Sequence, residues 1–394
     1  MLPLSGLTVL SMEHAVAAPF ATRQLADLGA RVIKVERPGV GDFARQYDAS
    51  VNGGSSYFVW LNRSKESIEL DVKAAAGREV LHELVDRADV VVQNLGPGAA
   101  ARLGLSAQEV RARDPRKIVV GITGWGSDGP WADRKAYDLL VQCETGLVSL
   151  TGTPSDVAKV GVSIADIAAG MYAFSGTLAA LYRREFTGEG ASVEVSLFEA
   201  LAEWVGQPTL FTAGAGRQPG RFGAQHATIA PYGPYQAGDG HVFLIAIQNE
   251  PEWTRFCEEV LDSPDAARDP RFASNNLRVA HRHEVNEMIA AHFAEMSTST
   301  LESRLTAARI AFAGVNTVAE FLEHPVLRER NRWRTVQTEA GDVQALLPPI
   351  EFGCEPRMDP VPALGAHTGQ ILAELGRDPQ SLTKIVAAQP DVRN

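Results

Sequence analysis

Cysteine is scarce in this chain: Cys143, Cys257 and Cys354 are the only three in 394 residues, far apart and without a CxxC pair. That spacing supplies neither a disulfide frame nor a zinc site and fits buried or incidental thiols in a reducing compartment. Positive charge is in deficit, with 37 Lys and Arg against 48 Asp and Glu, a net −11. Such a surface argues against nucleic acid or an anionic membrane as the main partner, but leaves room for a local basic pocket. The opening MLPLSGLTVLSMEHA lacks the basic start and long apolar core of a signal peptide. The longest apolar run, Ile167 to Tyr182, is short for a membrane span and is followed at once by Arg183 and Arg184. A cytoplasmic protein, off the membrane, is expected. A dinucleotide fingerprint is missing too: after the first predicted strand stands SMEHAVAAPFA, with no GxGxxG, and an NAD-type oxidoreductase loses its main support.

What is present is an ordinary globular composition, 45% apolar and 22% charged, in a chain long enough for two domains. Leu7–Leu10 and Arg31–Val35 have the β-branched, apolar texture of buried strands, and the stretch Phe20–Leu28 between them is helical and stops at Gly29. The alternation continues with a helix at Gly77–Arg87, a strand at Val90–Gln93, a helix at Ala107–Arg113 and a strand at Lys117–Ile122. The fold class is therefore α/β, a large Rossmann-like doubly wound domain with a parallel sheet. It spans 1–204. Residues 205–225, rich in Gly, Pro and Gln, are expected to be a linker. A smaller α+β domain occupies 226–325, and 326–394 is a further linker that returns to the large domain with a last helix at Thr368–Leu375.

Asp166 stands at the mouth of the Ile167–Tyr182 run. A segment apolar on every face is usually a buried helix, and Gly170, Ala173, Ser175 and Gly176 would let neighbouring backbones come close. The carboxylate at its start is either an N-cap or a nucleophile held in a cleft, and Ser163 is a rival cap. The local pattern leaves this open. Arg37, Lys73, Arg102 and Lys135 all fall in loops after predicted strands, where a polyanionic ligand would be held. His14 and His226 also sit in such loops, as ligand contacts or as structural imidazoles. His281 and His283, on a charged helix, are solvated side chains and not a metal site; no metal is expected.

Four segments, VIKVERPGVGDFAR, LNRSKESIELDVK, DVVVQNLGPGAAARLGL and ITGWGSDGP followed by YD, resemble the class III CoA-transferases. This is the superfamily of formyl-CoA transferase, carnitine-CoA transferase and α-methylacyl-CoA racemase. ALYRREFTGEGASVEVSLFEA, APYGPYQAGDGHVFLIA and ALGAHTGQILAELG extend the resemblance, in order, over nearly the whole chain.

The resemblance implies a homodimer of two interlocked chains and a substrate pair of acyl-CoA and free carboxylic acid, with no tightly bound cofactor beyond coenzyme A itself. It places the nucleophilic aspartate at Asp166. It places CoA contacts at Val16, Ala17, Arg37, at Leu70, Asp71, Val72 and Lys73, at Asn94, Leu95 and Gly96, at Arg102 and Leu103, and at Lys135, Ala136, Tyr137 and Asp138. Val16 stands where formyl-CoA transferase has glutamine, which argues against a formate- or oxalate-type site. RFGAQHATIAPYG replaces that enzyme's glycine-rich lid. Tyr137 stands where the racemases carry a histidine base, so a racemase is the weaker alternative; a non-catalytic CoA-binding protein is another. Among family members, those using succinyl-CoA lead to succinyl-CoA as donor and mesaconate, itaconate, citramalate or malate as acceptor. Arg217, Arg221 and His226, in the loop that ends at Gly233, are candidate partners for the acid's distal carboxylate, or plain solvated charges.

Overall fold

A computed structural model describes residues 1–378; the end of the expected 326–394 return, residues 379–394, lies outside the described residues. The chain divides into two compact units. The first takes Met1–Leu147, Val160–Gln207 and, of the described residues, 329–378.

Its centre is a six-stranded sheet of β1 (Thr8–Met12), β2 (Arg31–Glu36), β3 (Lys65–Glu69), β4 (Val90–Gln93), β5 (Ile118–Thr123) and β6 (Ser192–Ser196). The order is β3-β2-β1-β4-β5-β6 and every pairing is parallel. Parallel strands need crossover helices, and those helices cover the faces of the sheet, so its central strands β1, β4 and β5 carry no charge. Alternation sorts their side chains. Val9, Val32, Val90 and Ile118 join one core with the helices Ala17–Asp27, Ile164–Thr187 and Leu197–Trp204. Leu10, Ile33, Val91 and Val119 join another with Val80, Leu81 and Leu84 of the Ala75–Arg87 helix. The His367–Thr368 corner pairs with β3: Ser67 N–H donates to His367 Nδ1 (3.1 Å) and Glu69 N–H to Thr368 Oγ1 (3.1 Å).

The second unit comprises Val148–Lys159 and Pro208–Arg328. It holds the antiparallel strands β7 (Tyr232–Gln236), β8 (Val242–Ala246) and β9 (Ala311–Gly314). Its core of Trp253, Phe256, Phe272, Phe293 and Ile245 is its own. In the first unit, β10 (Trp333–Thr338) and β11 (Gly341–Leu346) form a hairpin.

The structure differs from the sequence-based expectation at three places. The apolar run is the middle of a 24-residue helix, Ile164–Thr187, and is not buried all round: Tyr172, Tyr182 and Phe186 are exposed. The stretch expected as linker opens with a helix, Gly206–Ala215. Segment Val148–Lys159, which the sequence groups with the large domain, packs with the second unit instead. Its Gly152 carbonyl accepts Gly223 N–H at 2.8 Å, a contact that sequence order hides.

Candidate active site

In an open parallel sheet, ligands gather beyond the carboxyl ends of the strands, where the strand order reverses. Here that point lies between β1 and β4. Asn94, just past β4, ties the two ends together: its Oδ1 accepts His14 N–H (3.0 Å) and its Nδ2 donates to the His14 carbonyl (2.9 Å). The loop after β1 then turns through Ala15, at φ 60°, into the first helix. That helix has no side chain capping its N-terminus at Val16, so first-turn N–H groups remain for a ligand.

The long helix starts beside it. Gly170 lies against Ala17 and Phe20, so close that a Cβ there would meet the Ala17 carbonyl oxygen at 2.7 Å. Asp166 is one turn earlier, in the first turn of the long helix. Neither rival for the cap performs it. Ser163 occupies the N-cap position without a side-chain hydrogen bond. The cap comes from Asp138, whose Oδ1 accepts the N–H groups of Ala165 (2.7 Å) and Asp166 (3.3 Å), while Gln142 Nε2 donates to its Oδ2 (2.6 Å). The Asp166 carboxyl makes no hydrogen bond among the described residues. Burial, with the Asp138 carboxylate adding repulsion, pushes it up to about 7.

An aromatic group that the sequence pattern did not single out reaches the neighbourhood of this carboxyl through Tyr47. Phe43 packs on His14 (5.3 Å between ring centroids) and on Tyr47 (5.7 Å), and Tyr47 meets Tyr57 edge-on (5.4 Å). Burial and the carboxylates of Asp42 and Asp166 push the Tyr47 hydroxyl up to about 12. Burial also holds the His14 imidazole below its usual range. The only advance signal for Tyr47 was its place after the GVGDFAR loop.

The other anticipated residues divide into buried and exposed. Val16, Ala17 and Leu70 are buried and can meet a ligand only through their backbone or edge. Asp71 accepts Lys73 N–H (3.0 Å) and shapes its own turn. Val72, Leu95, Leu103 and Ala136 are half-buried, and Gly96 and Tyr137 are exposed. Arg37 donates to the Gly41 carbonyl (3.3 and 3.2 Å). Arg37, Lys73, Arg102 and Lys135 are all exposed at the carboxyl side of β2 to β5, and none has a carboxylate partner among the described residues. Four unpaired cations at one sheet edge suit a polyphosphate ligand.

Arg221, His226 and Gly233 belong to the second unit. The Arg221 guanidinium is spent on the backbone carbonyls of Thr153 (2.8 Å), Pro154 (3.0 Å) and Ser149 (3.4 Å), a clamp on that unit's own loop. His226 stacks on Tyr232 at 5.2 Å, and a Cβ on Gly233 would meet the Gln225 side chain at 2.7 Å. Arg217 lies over the Phe211 ring.

A doubly wound sheet with exposed cations beyond its strand ends, and a buried carboxyl without a hydrogen bond in the same unit, is an arrangement suited to a large anionic ligand. The profile of CoA-transferase family III matches residues 4–368. A structure of a CAIB/BAIF family protein from Brucella suis superposes with a TM-score of 0.83 and 33% identity, covering 95% of this chain and 99% of that one. The succinyl-CoA:glutarate CoA-transferase of Mus musculus is 31% identical over 98% of this chain and 90% of its own length. The acetyl-CoA:oxalate CoA-transferase of Acetobacter aceti is 38% identical over 71% of this chain and 72% of its own. The chain belongs to the class III CoA-transferases.

Proposed function

We propose that the protein moves CoA from succinyl-CoA to a short dicarboxylic acid, with Asp166 as the covalent relay. The observation that carries this reading is the division of labour at the start of the long helix: Asp138 caps it, and Asp166 is left unbonded. Ionised Asp166 attacks the thioester carbonyl, the C–S bond breaks, and CoA leaves as thiolate with a mixed anhydride formed on the aspartyl carboxyl. The thiolate then attacks the aspartyl carbonyl and releases the donor acid as carboxylate. The acceptor carboxylate attacks the resulting aspartyl-CoA thioester, and the returning thiolate takes its acyl group and frees Asp166. A carboxyl near 7 is a stronger nucleophile than an ordinary aspartate and still substantially ionised at neutral pH.

Each tetrahedral oxyanion needs donors. The N–H groups of Ala165 and Asp166 are occupied by Asp138, so the uncapped start of the first helix is the better source. Tyr137 offers no imidazole base beside Asp138, which weighs against racemase chemistry. The relatives' names, glutarate for one and oxalate for the other, support a dicarboxylate acceptor and keep oxalate itself among the candidates despite Val16. The committed hydrogen bonds of Arg221 favour a clamp over a substrate anchor. The second copy of an interlocked homodimer would cover the exposed Tyr172, Tyr182 and Phe186 of the long helix; sedimentation at twice the chain mass is expected, and a clean monomer contradicts it.

A panel of acids against succinyl-CoA tests the substrate class. Mesaconate, itaconate, citramalate, malate, glutarate and oxalate are compared with formate, carnitine and an aryl acid. A dicarboxylate is expected to react fastest; a monocarboxylate matching all of them removes this substrate class.

A further inference from the structure

Behind the candidate site lies a cluster of charges with no exposure at all. Lys34, in the middle of β2, points Nζ at Asp42 Oδ2 (2.8 Å) and at Glu13 Oε1 (3.4 Å), and all three side chains are fully buried. Lys65, the first residue of β3, reaches the same Glu13 oxygen at 2.7 Å and also donates to the Pro19 carbonyl and Asn62 Oδ1 (3.1 Å each). Glu13 Oε2 accepts from Thr22 of the first helix at 2.6 Å. Two lysines and two carboxylates thus balance in charge, as buried ions must.

A structural cluster needs only that balance. Asp42 does more, because its second oxygen leaves the cluster. Oδ1 accepts Ala15 N–H (3.2 Å) and Ala44 N–H (2.9 Å). The first of these holds the left-handed Ala15 turn from which the uncapped first helix starts; the second caps the short Phe43–Gln46 helix that carries Phe43 and leads into Tyr47. Tyr47 lies within electrostatic reach of Asp166, and the helix that starts from the Ala15 turn packs through Ala17 on Gly170, one turn along the long helix from Asp166. Glu36 steadies the arrangement from behind, accepting Asp42 N–H (3.1 Å) while paired with Arg45 (2.8 Å).

We propose that Asp42 is a positioning residue for acyl transfer at Asp166: through one oxygen it sets the Ala15 turn and the Phe43–Tyr47 segment, and through the other it is locked to Lys34. This rests on Asp166 being the acylated residue. Misplacement of reacting groups by a fraction of an ångström to 1 Å lowers rates by up to about 100-fold, so a turn fixed by a buried ion pair matters to the rate and not only to the fold.

Two charge-balanced variants separate the roles, since each removes the Lys34–Asp42 pair whole and leaves Glu13 with Lys65. D42N/K34M keeps an oxygen acceptor for the Ala15 and Ala44 amides; D42A/K34M does not. Thermal unfolding, the fraction of chains acylated at Asp166 by succinyl-CoA, and the acylation rate per reactive chain are measured for both. D42A/K34M is expected to acylate the same fraction of chains as D42N/K34M, but about ten-fold or more slowly. Equal rates, a slowing matched by a loss of reactive chains, or failure of D42A/K34M alone to fold would each assign Asp42 to stability and overturn the proposal. Absence of acylation at Asp166 in the wild type would instead refute the relay reading, which the same assay shows before any variant is compared.

Discussion

Asp138 and Asp166 face each other across the start of one helix, and only one of them bonds to it. The Asp138 carboxylate accepts the Ala165 and Asp166 amides, and its charge adds to burial in lifting the Asp166 carboxyl to about 7. The cap and the proposed nucleophile are thus split between two side chains 28 residues apart in sequence.

Replacing Asp138 by asparagine keeps an oxygen for the helix amides and removes the charge. The acid limb of the pH–rate profile for Asp166 acylation should move to lower pH, while burial still holds it above the usual aspartate range. Asp138→Ala should, in addition, cost ~1 kcal/mol of stability for the lost cap. An acid limb that stays in place in Asp138→Asn would show that the carboxylate does not act on Asp166.

The raised carboxyl also makes a stability prediction with a definite sign. A folded-state value near 7, against 3.8 as the ordinary one, means the native state holds that proton more tightly than the unfolded chain. The stabilisation is complete below about 4 and is lost as pH rises through 7. Asp166→Asn should therefore match the wild type at pH 4 and exceed it at pH 8, by ~1–3 kcal/mol once partial exposure is allowed for. Chemical unfolding at the two pH values checks this, and a variant less stable than wild type at pH 8 contradicts it.

Gly170 packs tightly against the first helix. Alanine is the better helix former by about 1 kcal/mol, but its Cβ would sit 2.7 Å from the Ala17 carbonyl oxygen and 3.0 Å from the Phe20 ring. Overpacking of this kind costs ~1–3 kcal/mol, so Gly170→Ala should lower the urea midpoint and slow the reaction. A raised midpoint would mean the two helices move apart freely.

Lys73 and Lys135 are expected to hold the anionic part of acyl-CoA. Lys135→Ala should raise KM for the thioester about 3- to 10-fold with kcat nearly unchanged, and the effect should shrink as salt is added. A change confined to kcat would place Lys135 in the chemistry instead.

The α/β class was legible because the central strands are mostly apolar and alternate with helical stretches: Val90–Gln93 and the Ala107–Arg113 helix fall on the residues expected. β3 was not, since Lys65 and Glu66 look like surface residues until Glu13 and Arg31 are seen to pair with them. Asp166 could be found from the apolar run behind it, but its freedom from the capping role could not. That depended on Asp138, whose partners come from distant sequence. Lys34 was hidden for the same reason: a lysine in VIKVE is interpretable only once Asp42 folds back over it. The segment Val148–Lys159 was misplaced because membership of a compact unit is decided by such long-range contacts as Gly152 with Gly223.

The central claim is that Asp166 carries the acyl group and then CoA. The direct measurement is peptide mass spectrometry after incubating the enzyme with succinyl-CoA and quenching with hydroxylamine. A hydroxamate is predicted on Asp166, close to one per active chain, absent in Asp166→Asn, which should still bind CoA. Labelling at another residue, or Asp166→Asn turning over near the wild-type rate, would contradict the account.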